Sequence, residues 1–317
     1  MNNEIPKISV VIITYNQEVL IKRALDSVLV QKEWVYEIIV CDDCSKDNNW
    51  EVIKEYAQNY PDLIKPFRNE RNLGIFGNLE ISWPKPTGDA IIYLSGDDAL
   101  CNRLFEEAVQ LIRRNNIDYK NDSFCLYFDY KIVYPKVWMN FAGAIVGNKP
   151  SNILITKGFD PLSLKVRNLI VNRTIIYSRK IQNQFTPVRK DIGIFADGLI
   201  DIQVQQYATS SYYSPFIGSV YYAKIGVSVK TPLEQSFWSR KMFSQELVKI
   251  FVLRKDDIAW LDYINAKNDF LLKPKWNKFL NIVSLYRKSI NWDYGLRGLQ
   301  LGSIIVDVWY FINRIGK

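Results

Sequence analysis

Two pairs of adjacent aspartates each follow an apolar, β-branched run of the chain. Residues 37–47 read EIIVCDDCSKD and residues 91–100 read IIYLSGDDAL. Such runs predict buried strands, so each pair is expected where a strand opens into a loop. An unpaired carboxylate at that position costs on the order of several kcal/mol. A cation or a ligand donor would offset this cost, so the pairs indicate a nucleotide and metal site.

A third predicted strand precedes the first pair and ends on Thr14, Tyr15 and Asn16. These hydroxyl and amide groups are of the kind used to recognise a nucleobase or ribose. Residues 19–31 between the two strands have the three-and-four apolar spacing of an amphipathic helix. The apolar positions are Val19, Leu20, Ala24, Leu25, Val28 and Leu29. This βαβ unit makes the strands parallel and places ligands at their carboxyl ends.

These segments resemble the opening of the family 2 glycosyltransferases, which reads roughly VSVVIxTYN, SVxxQ and EIIVVDDxSxD. The corresponding segments here are 9–16, 27–31 and 37–47, followed by 71–74, Asn78 and 88–98. The resemblance implies the GT-A fold of nucleotide-diphospho-sugar transferases. This is an α/β fold with a Rossmann-like mixed sheet flanked by helices.

The resemblance also implies how the donor nucleotide binds. Asp43 would accept a hydrogen bond from the base, with Thr14, Tyr15 and Asn16 beside it. A uracil ring offers one ring N–H to a fixed carboxylate, whereas cytosine offers none. A UDP-sugar is therefore the expected donor.

The second aspartate pair resembles the DxD-type motif of the family. Asp97 would face the ribose or the sugar, and Asp98 would bind a divalent cation that bridges the two phosphates. The sequence has no Walker-type loop to neutralise phosphates. Hard oxygen ligands with phosphates suit Mg²⁺ or Mn²⁺.

The segment 68–82 is expected to be a loop. The resemblance suggests that Asn72, Gly74 and Asn78 reach the nucleotide or diphosphate, and turn chemistry explains these residue types equally well. Asp47 stands before a predicted helix, so capping of that helix and ligand contact both stay open.

The family draws its general base from an acidic residue that opens a helix well downstream. The matching segment, 195–208, assigns Asp197 as the base, with Asp191 and Asp201 as competing candidates and a helix N-cap as the alternative role for Asp197. The mechanism implied is one in-line displacement that inverts the anomeric carbon.

The chain has no histidine, which excludes Ser-His-Asp and Cys-His nucleophiles and His-based metal sites. The four cysteines are expected to be reduced, structural thiols, although two of them have the spacing of a zinc knuckle or redox pair. They are Cys41, Cys44, Cys101 and Cys125.

The predicted organisation is a catalytic domain over 1–232 and a basic, tryptophan-rich helical region over 233–317. Within the catalytic domain, residues 1–100 would form the nucleotide-binding half and residues 101–232 the acceptor-binding half. The resemblance implies that the aromatic-rich segments 124–150 and 151–181, including Trp138, cover the acceptor, and a place in the core is the equal alternative for Trp138 and the tyrosines.

The C-terminal region carries most of the net charge. Residues 238–317 hold 14 Lys and Arg against 7 Asp and Glu, a net +7 of the chain's +8. Segments 276–290 and 299–317 have an apolar face with flanking basic residues, which is typical of helices that lie on an anionic bilayer. Packing on the catalytic domain is the alternative.

Together these features predict an inverting glycosyltransferase acting on a saccharide or lipid-linked saccharide acceptor in cell-surface polysaccharide, O-antigen or capsule synthesis. Residues 1–7 lack an apolar secretion core, and no run reaches the ~18 apolar residues of a membrane span. We therefore expect a cytoplasmic protein, peripheral on the inner face of the membrane. The alternatives are a degenerate nucleotide-sugar-binding protein, a nucleotidyltransferase, and a basic nucleic-acid-binding protein.

Overall fold

The computed structural model describes residues 4–133, 174–185, 196–222, 232–250, 252–272 and 276–289. They fall into two compact units, with the division after the segment that ends at residue 222. Three sequence predictions, on Asp191, Trp138 and the segment 299–317, lie outside the described residues.

One eight-stranded mixed sheet forms the first unit. Its strands are β1 Ile8–Thr14, β2 Val35–Asp42, β3 Ile64–Arg68, β4 Ala90–Ser95, β5 Ala99–Leu100, β6 Phe124–Val133, β7 Thr174–Ser178 and β8 Ser210–Tyr222. The strand order is β3-β2-β1-β4-β7-β6-β8-β5. Strands β1 to β4 are parallel neighbours, and β7 joins β4 antiparallel. The sheet is thus parallel on the side where the aspartate pairs lie.

Six α-helices of the described residues belong to this unit. They are α1 Leu20–Leu29, α2 Asn49–Asn59, α3 Gly74–Ser82, α4 Leu104–Arg114, α5 Arg179–Gln182 and α6 Ala196–Tyr207. A short 3-10 turn, Lys32–Trp34, leads into β2.

The alternation of β1 sends its side chains into two separate cores. Val10 and Ile12 pack with α1, α2 and α4 on one face of the sheet. Val11 packs with α3 and α6 on the other face. Because apolar residues cover both faces, the parallel strands read as continuous hydrophobic runs, as the sequence indicated.

Helix α1 confirms the predicted crossover but corrects its apolar face. The buried residues of α1 are Ile21, Ala24, Leu25 and Val28. Val19, which we assigned to that face, is 75% exposed because the helix begins one residue later. The helical pattern was therefore right in period and wrong at its first turn.

The second unit consists of helices in its described part. They are α7 Leu233–Ile250, α8 Lys255–Leu272 and α9 Trp276–Ser289. Ile282 of α9 is buried against Trp260, Tyr263 and Phe270 of α8. Part of the apolar face of α9 is thus used within the unit. No helix of the described part of the chain is long and apolar enough to cross a membrane.

Candidate active site

The strand ends that carry the polar motifs meet at one edge of the sheet. In the register of β1 with its neighbours, Thr14 pairs with Asp42 of β2, and Ile13 pairs with Ser95 of β4. The last residues of these strands and the loops that follow hold both aspartate pairs and the Thr-Tyr-Asn triplet. The convergence predicted from the sequence is present.

Asp42, the first residue of the first pair, is satisfied entirely from within the protein. It is fully buried, and its carboxylate accepts hydrogen bonds from Ser45 and from Asn49 Nδ2, the latter at 2.7 Å. Arg68 Nε lies 3.3 Å from its Oδ2. The expectation that a ligand or bound cation offsets the cost of these aspartates is therefore wrong for Asp42, because Arg68 at the end of β3 supplies the charge.

Asp43 has a different set of partners. Its Oδ1 accepts hydrogen bonds from Asn69 Nδ2 and from the backbone N–H of Leu73, both at 2.8 Å. Its own N–H donates to the carbonyl of Thr14, which joins the β1 and β2 loops. Both side-chain bonds engage Oδ1, which fixes the orientation of the carboxylate. Burial to 2% exposure makes that carboxylate a strong acceptor.

Asn78 is linked to Asp43 through Asn69. It is buried, its Nδ2 donates to the carbonyl of Cys41 at 2.9 Å, and its Oδ1 accepts from Asn69 at 3.1 Å. Asn69 therefore bridges Asn78 and Asp43. Sequence reasoning missed Asn69, although its place directly after β3, at the same sheet edge, was the signal that could have found it.

The segment that holds Asn78 is not the loop we expected. Residues Gly74–Ser82 form α3, because Leu79 and Trp83 bury an apolar face against the sheet. Gly74 begins the helix with φ of 75°, a left-handed conformation that favours glycine. Its N–H donates to Oδ1 of the exposed Asn72 at 2.9 Å. Local turn chemistry thus accounts for Asn72 and Gly74.

The end of β1 packs closely against the turn after β4. Thr14 is buried, and its hydroxyl donates to Gln17 Oε1 at 2.8 Å. Gly96 lies against both, since a Cβ at that position would be 2.8 Å from Thr14 Cβ and 2.5 Å from Gln17 Oε1. Only glycine fits there, so the turn that carries Asp97 and Asp98 can approach β1.

Tyr15 and Asn16 complete the β1 loop. Tyr15 is half-buried, and Asn16 is exposed with φ of 52°. The N–H of Asn16 donates to Ser45 Oγ at 2.9 Å, while its side-chain oxygen accepts from Lys46 N–H at 2.8 Å. Asn16 therefore fastens the β1 loop to the β2 loop, and Tyr15 is held between fixed neighbours.

Asp97 and Asp98 lie in the tight turn between β4 and β5. The N–H of Asp98 donates to the carbonyl of Ser95 at 3.0 Å. Oδ1 of Asp98 accepts from the backbone N–H of Tyr222, at the end of β8, at 3.1 Å. Arg23 of α1 donates to the carbonyl of Asp97. Both aspartates are half-buried.

The carboxylates of Asp97 and Asp98 suit a hard divalent cation whose other ligands are oxygens of a diphosphate. Among the described residues, no three His, Cys, Asp or Glu side chains group as a complete metal cage. One or two carboxylates are the usual protein contribution when phosphates and water complete the shell of Mg²⁺. The residues present fit that arrangement.

The base candidates differ in what the structure describes. Asp197 is the second residue of α6, whose range agrees with the helix predicted over 195–208. Asp201 lies one turn further along and is half-buried. Burial raises the pKa of Tyr127 well above its usual value, and the Asp201 carboxylate adds to that rise. Asp201 therefore acts electrostatically on Tyr127 of β6.

The cysteines are free thiols, and two of them are buried, Cys41 and Cys125. Both pack in the core under α3 and α6. Burial raises the pKa of Cys41 to about 12, so this thiol stays protonated at neutral pH.

Asp47 accepts hydrogen bonds from the N–H groups of Asn49 and Glu18, which gives it the capping role at α2.

Residues 9–159, just under half of this chain, match the family described as Glycosyl transferase family 2. EpsE of Bacillus subtilis (strain 168) is 34% identical over 113 residues, which cover 36% of this chain and 41% of EpsE. An Escherichia coli protein named UDP-Glc:alpha-D-GlcNAc-diphosphoundecaprenol beta-1,3-glucosyltransferase WfgD is 25% identical over 169 residues. Those residues cover 53% of this chain and 61% of WfgD. The matches thus span less than two thirds of both relatives.

Solved structures establish the GT-A fold. S. aureus TarS 1-349 in complex with UDP-GlcNAc has a TM-score of 0.59 at 18% identity, over 96% of this chain and 89% of that one. A mannosyltransferase from Pyrobaculum calidifontis in complex with GDP-Man and Mn2+ has a TM-score of 0.53 at 13% identity, over 98% and 88%. The predicted fold class is confirmed. Family and fold give no support to a nucleic-acid-binding protein.

Proposed function

We propose that this protein is an inverting glycosyltransferase that moves a sugar from a UDP-sugar to a hydroxyl of a saccharide or lipid-linked saccharide. The observation that carries the proposal is the placement of Asp43 and Asp98. These carboxylates follow β2 and β4, the two strands that flank β1, at the edge where ligands of parallel α/β sheets bind. One carboxylate suits a nucleobase, and the other suits the diphosphate.

The base of the donor would be held by Asp43. Asn69 and Leu73 fix Oδ1 of that carboxylate, which leaves Oδ2 to accept the ring N–H of uracil. A buried carboxylate rejects a base that presents only an acceptor there, because two acceptors would face each other. Thr14 accepts the N–H of Asp43, Tyr15 and Asn16 follow Thr14 in the β1 loop, and Asn72 is exposed, and these residues would complete the donor site.

The diphosphate would lie between the β1 loop and the turn after β4. Asp98, with Asp97 beside it, would hold a divalent cation, Mg²⁺ or Mn²⁺. Such a cation neutralises the charge that develops on the leaving nucleoside diphosphate. The protein's part is to fix both aspartates, through the close fit of Gly96 on Thr14 and through the bond from the Tyr222 N–H to Asp98.

The acceptor hydroxyl needs a base, and we assign that role to Asp197. It is the second residue of α6, and the amino-terminal end of a helix favours a charged carboxylate. In one displacement, the acceptor oxygen bonds to the anomeric carbon, the bond to the diphosphate breaks, and the hydroxyl proton passes to Asp197. Attack opposite the leaving group inverts that carbon.

The acceptor class is supported by the relatives. The name of WfgD states a diphosphoundecaprenol-linked acceptor and a UDP-Glc donor. We extend this to a saccharide or lipid-linked acceptor in cell-surface polysaccharide assembly. An acceptor of that kind is carried on a membrane, so the basic C-terminal region would lie on its anionic inner face.

The membrane part of the proposal has a separate test. Vesicles containing anionic phospholipid should sediment the full chain, and salt should release it, since the attraction is partly electrostatic. Neutral vesicles are the control. Equal sedimentation with both vesicles, or with neither, would count against an anionic membrane surface as the binding partner.

The catalytic part is tested by UDP release. The full chain is incubated with UDP-Glc, UDP-Gal, UDP-GlcNAc or UDP-GalNAc, Mn²⁺ and a synthetic polyprenyl-diphosphate-linked sugar acceptor. One donor should give acceptor-dependent UDP release that chelation abolishes. Binding of UDP without release from any donor would instead indicate the degenerate nucleotide-sugar-binding alternative.

A further inference from the structure

Arg23 connects three parts of the fold that meet at the Asp97–Asp98 turn. It lies on α1, next to Ala24 of the buried face, and is half-buried. Its Nη2 donates to the carbonyl of Asp97. Its Cζ lies 3.5 Å from the centroid of the Tyr222 ring, in a stacked cation–π contact. One guanidinium thus contacts both the turn after β4 and the end of β8.

Tyr222 contacts both Arg23 and Asp98. While the Tyr222 ring stacks on Arg23, its backbone N–H donates to Asp98 Oδ1 at 3.1 Å. The carbonyl of Asp97 and the carboxylate of Asp98 are therefore both placed by contacts that pass through Arg23. The Nε of Arg23 is buried with no hydrogen-bond partner among the described residues. A buried N–H left in this state is costly, so the ring contact must offset that cost.

We infer that Arg23 is a positioning residue for the diphosphate site. It fixes the Asp97–Asp98 turn against the end of β8, so that the Asp98 carboxylate is held before the donor arrives. The inference rests on the proposed role of Asp98 in donor binding. A guanidinium suits the task because it is planar, permanently charged, and able to donate within its plane while stacking through its face.

The test compares variants of one helix by calorimetric titration of UDP with and without Mn²⁺. Arg23→Ala should weaken Mn²⁺-dependent UDP binding about tenfold, within the range of a desolvated cation–π contact. Uridine, which has no phosphates, should bind Arg23→Ala as it binds the wild type. Lys22→Ala is the matched control, because Lys22 is the exposed neighbour and its loss removes the same charge without these contacts.

Two further variants separate positioning from folding. Arg23→Lys keeps the charge but loses the planar guanidinium group. Its Mn²⁺-dependent affinity for UDP should therefore lie between that of Arg23→Ala and that of the wild type. Tyr222→Leu should resemble Arg23→Ala, and the double variant should be no worse than either single one, since the two residues act through one contact.

The outcomes distinguish this inference from the proposed function. If Asp98→Asn loses the Mn²⁺ dependence of UDP binding while Arg23→Ala and Arg23→Lys bind UDP in the presence of Mn²⁺ as tightly as the wild type, the inference about Arg23 is wrong and the proposed function stands. If Asp98→Asn keeps that dependence, the proposed function itself fails. If uridine and UDP weaken equally in Arg23→Ala, its role is only to support the fold.

Discussion

The amide nitrogen of Asn69 lies 2.8 Å from Oδ1 of Asp43. This bond and the one from the Leu73 N–H hold the same carboxylate oxygen before any nucleotide is present. Asn69 comes from the end of β3 and Asp43 from the end of β2, so the pairing of two neighbouring strands defines the geometry of the base site. Preorganisation of this kind favours selectivity, because the carboxylate cannot rotate to suit another base.

Exchange of Asp43 for Asn should change which base is preferred. The Asn69 amide and the Leu73 N–H would still require an acceptor, so the new side chain would keep its oxygen there and present an NH₂ group outward. That group donates to N3 of cytosine but cannot accept from uracil N3–H. Calorimetry of Asp43→Asn should show UDP weakened about 10- to 100-fold and CDP strengthened. Unchanged preference for UDP over CDP would contradict the role of Asp43.

Exchange of Asp197 for Asn should separate turnover from donor binding. Loss of a general base typically costs about 10²–10⁴-fold in rate, whereas the donor nucleotide does not contact that residue in the proposed site. Single-turnover UDP release should fall by that factor in Asp197→Asn, with UDP affinity unchanged. Asp201→Asn is the comparison, because Asp201 is the competing base candidate one turn further along α6. A larger rate loss in Asp201→Asn would move the base to Asp201.

Asn78 should matter for both folding and nucleotide affinity. Asn78→Ala leaves the buried carbonyl of Cys41 without its side-chain donor, which costs about 1–3 kcal/mol of unfolding free energy. It also removes the acceptor that orients Asn69, so UDP should bind several-fold more weakly. Denaturant unfolding and calorimetry measure the two effects. Asn59→Ala, at the exposed end of α2, is the control and should change neither.

Glu37 should make the free energy of unfolding depend on pH. Burial alone would raise its pKa, but hydrogen bonds from Lys65, Ser9 and Thr87 outweigh that effect and hold the pKa below its usual value. A lowered pKa in the folded state stabilises the protein above the pKa of the unfolded chain, and this contribution is lost as the pH falls through the folded value. The Lys65 side chain is 47% exposed, so the ion pair adds little by itself.

The corresponding test is Glu37→Gln. Its unfolding free energy at pH 7 should be about 1–3 kcal/mol below that of the wild type, and the difference should shrink below about pH 4. Denaturant unfolding across that pH range gives the comparison. A difference that stays constant down to pH 3 would show that the charge of Glu37 does not contribute.

The sequence predicted the sheet edge well because its signals are local. Apolar runs that end in aspartates identify β2 and β4, and the parallel βαβ rule then brings their ends together without knowledge of any contact. The same reasoning fails where a residue's partner is distant in sequence. Asp42 and Asp43 look alike in the chain, yet Arg68 makes the first a structural ion pair, and Asn69 prepares the second for a ligand.

The helix over Gly74–Ser82 shows a second limit of the sequence. Its glycines and asparagines are turn formers, so local propensity favoured a loop. Burial of Leu79 and Trp83 against the sheet overrides that propensity. The contact between Arg23 and Tyr222 joins residues far apart in the chain and has no pattern of its own, so only the three-dimensional arrangement reveals it.

The most direct test of the account is calorimetric titration of UDP into the full chain, with Mn²⁺ present or chelated, for the wild type and Asp98→Asn. We expect the wild type to bind UDP in preference to CDP and GDP, with an affinity that falls when Mn²⁺ is chelated. Asp98→Asn should bind UDP weakly and equally in both conditions. Absence of binding to any nucleoside diphosphate, or equal Mn²⁺ dependence in the two proteins, would contradict a UDP-sugar site built on Asp43 and Asp98.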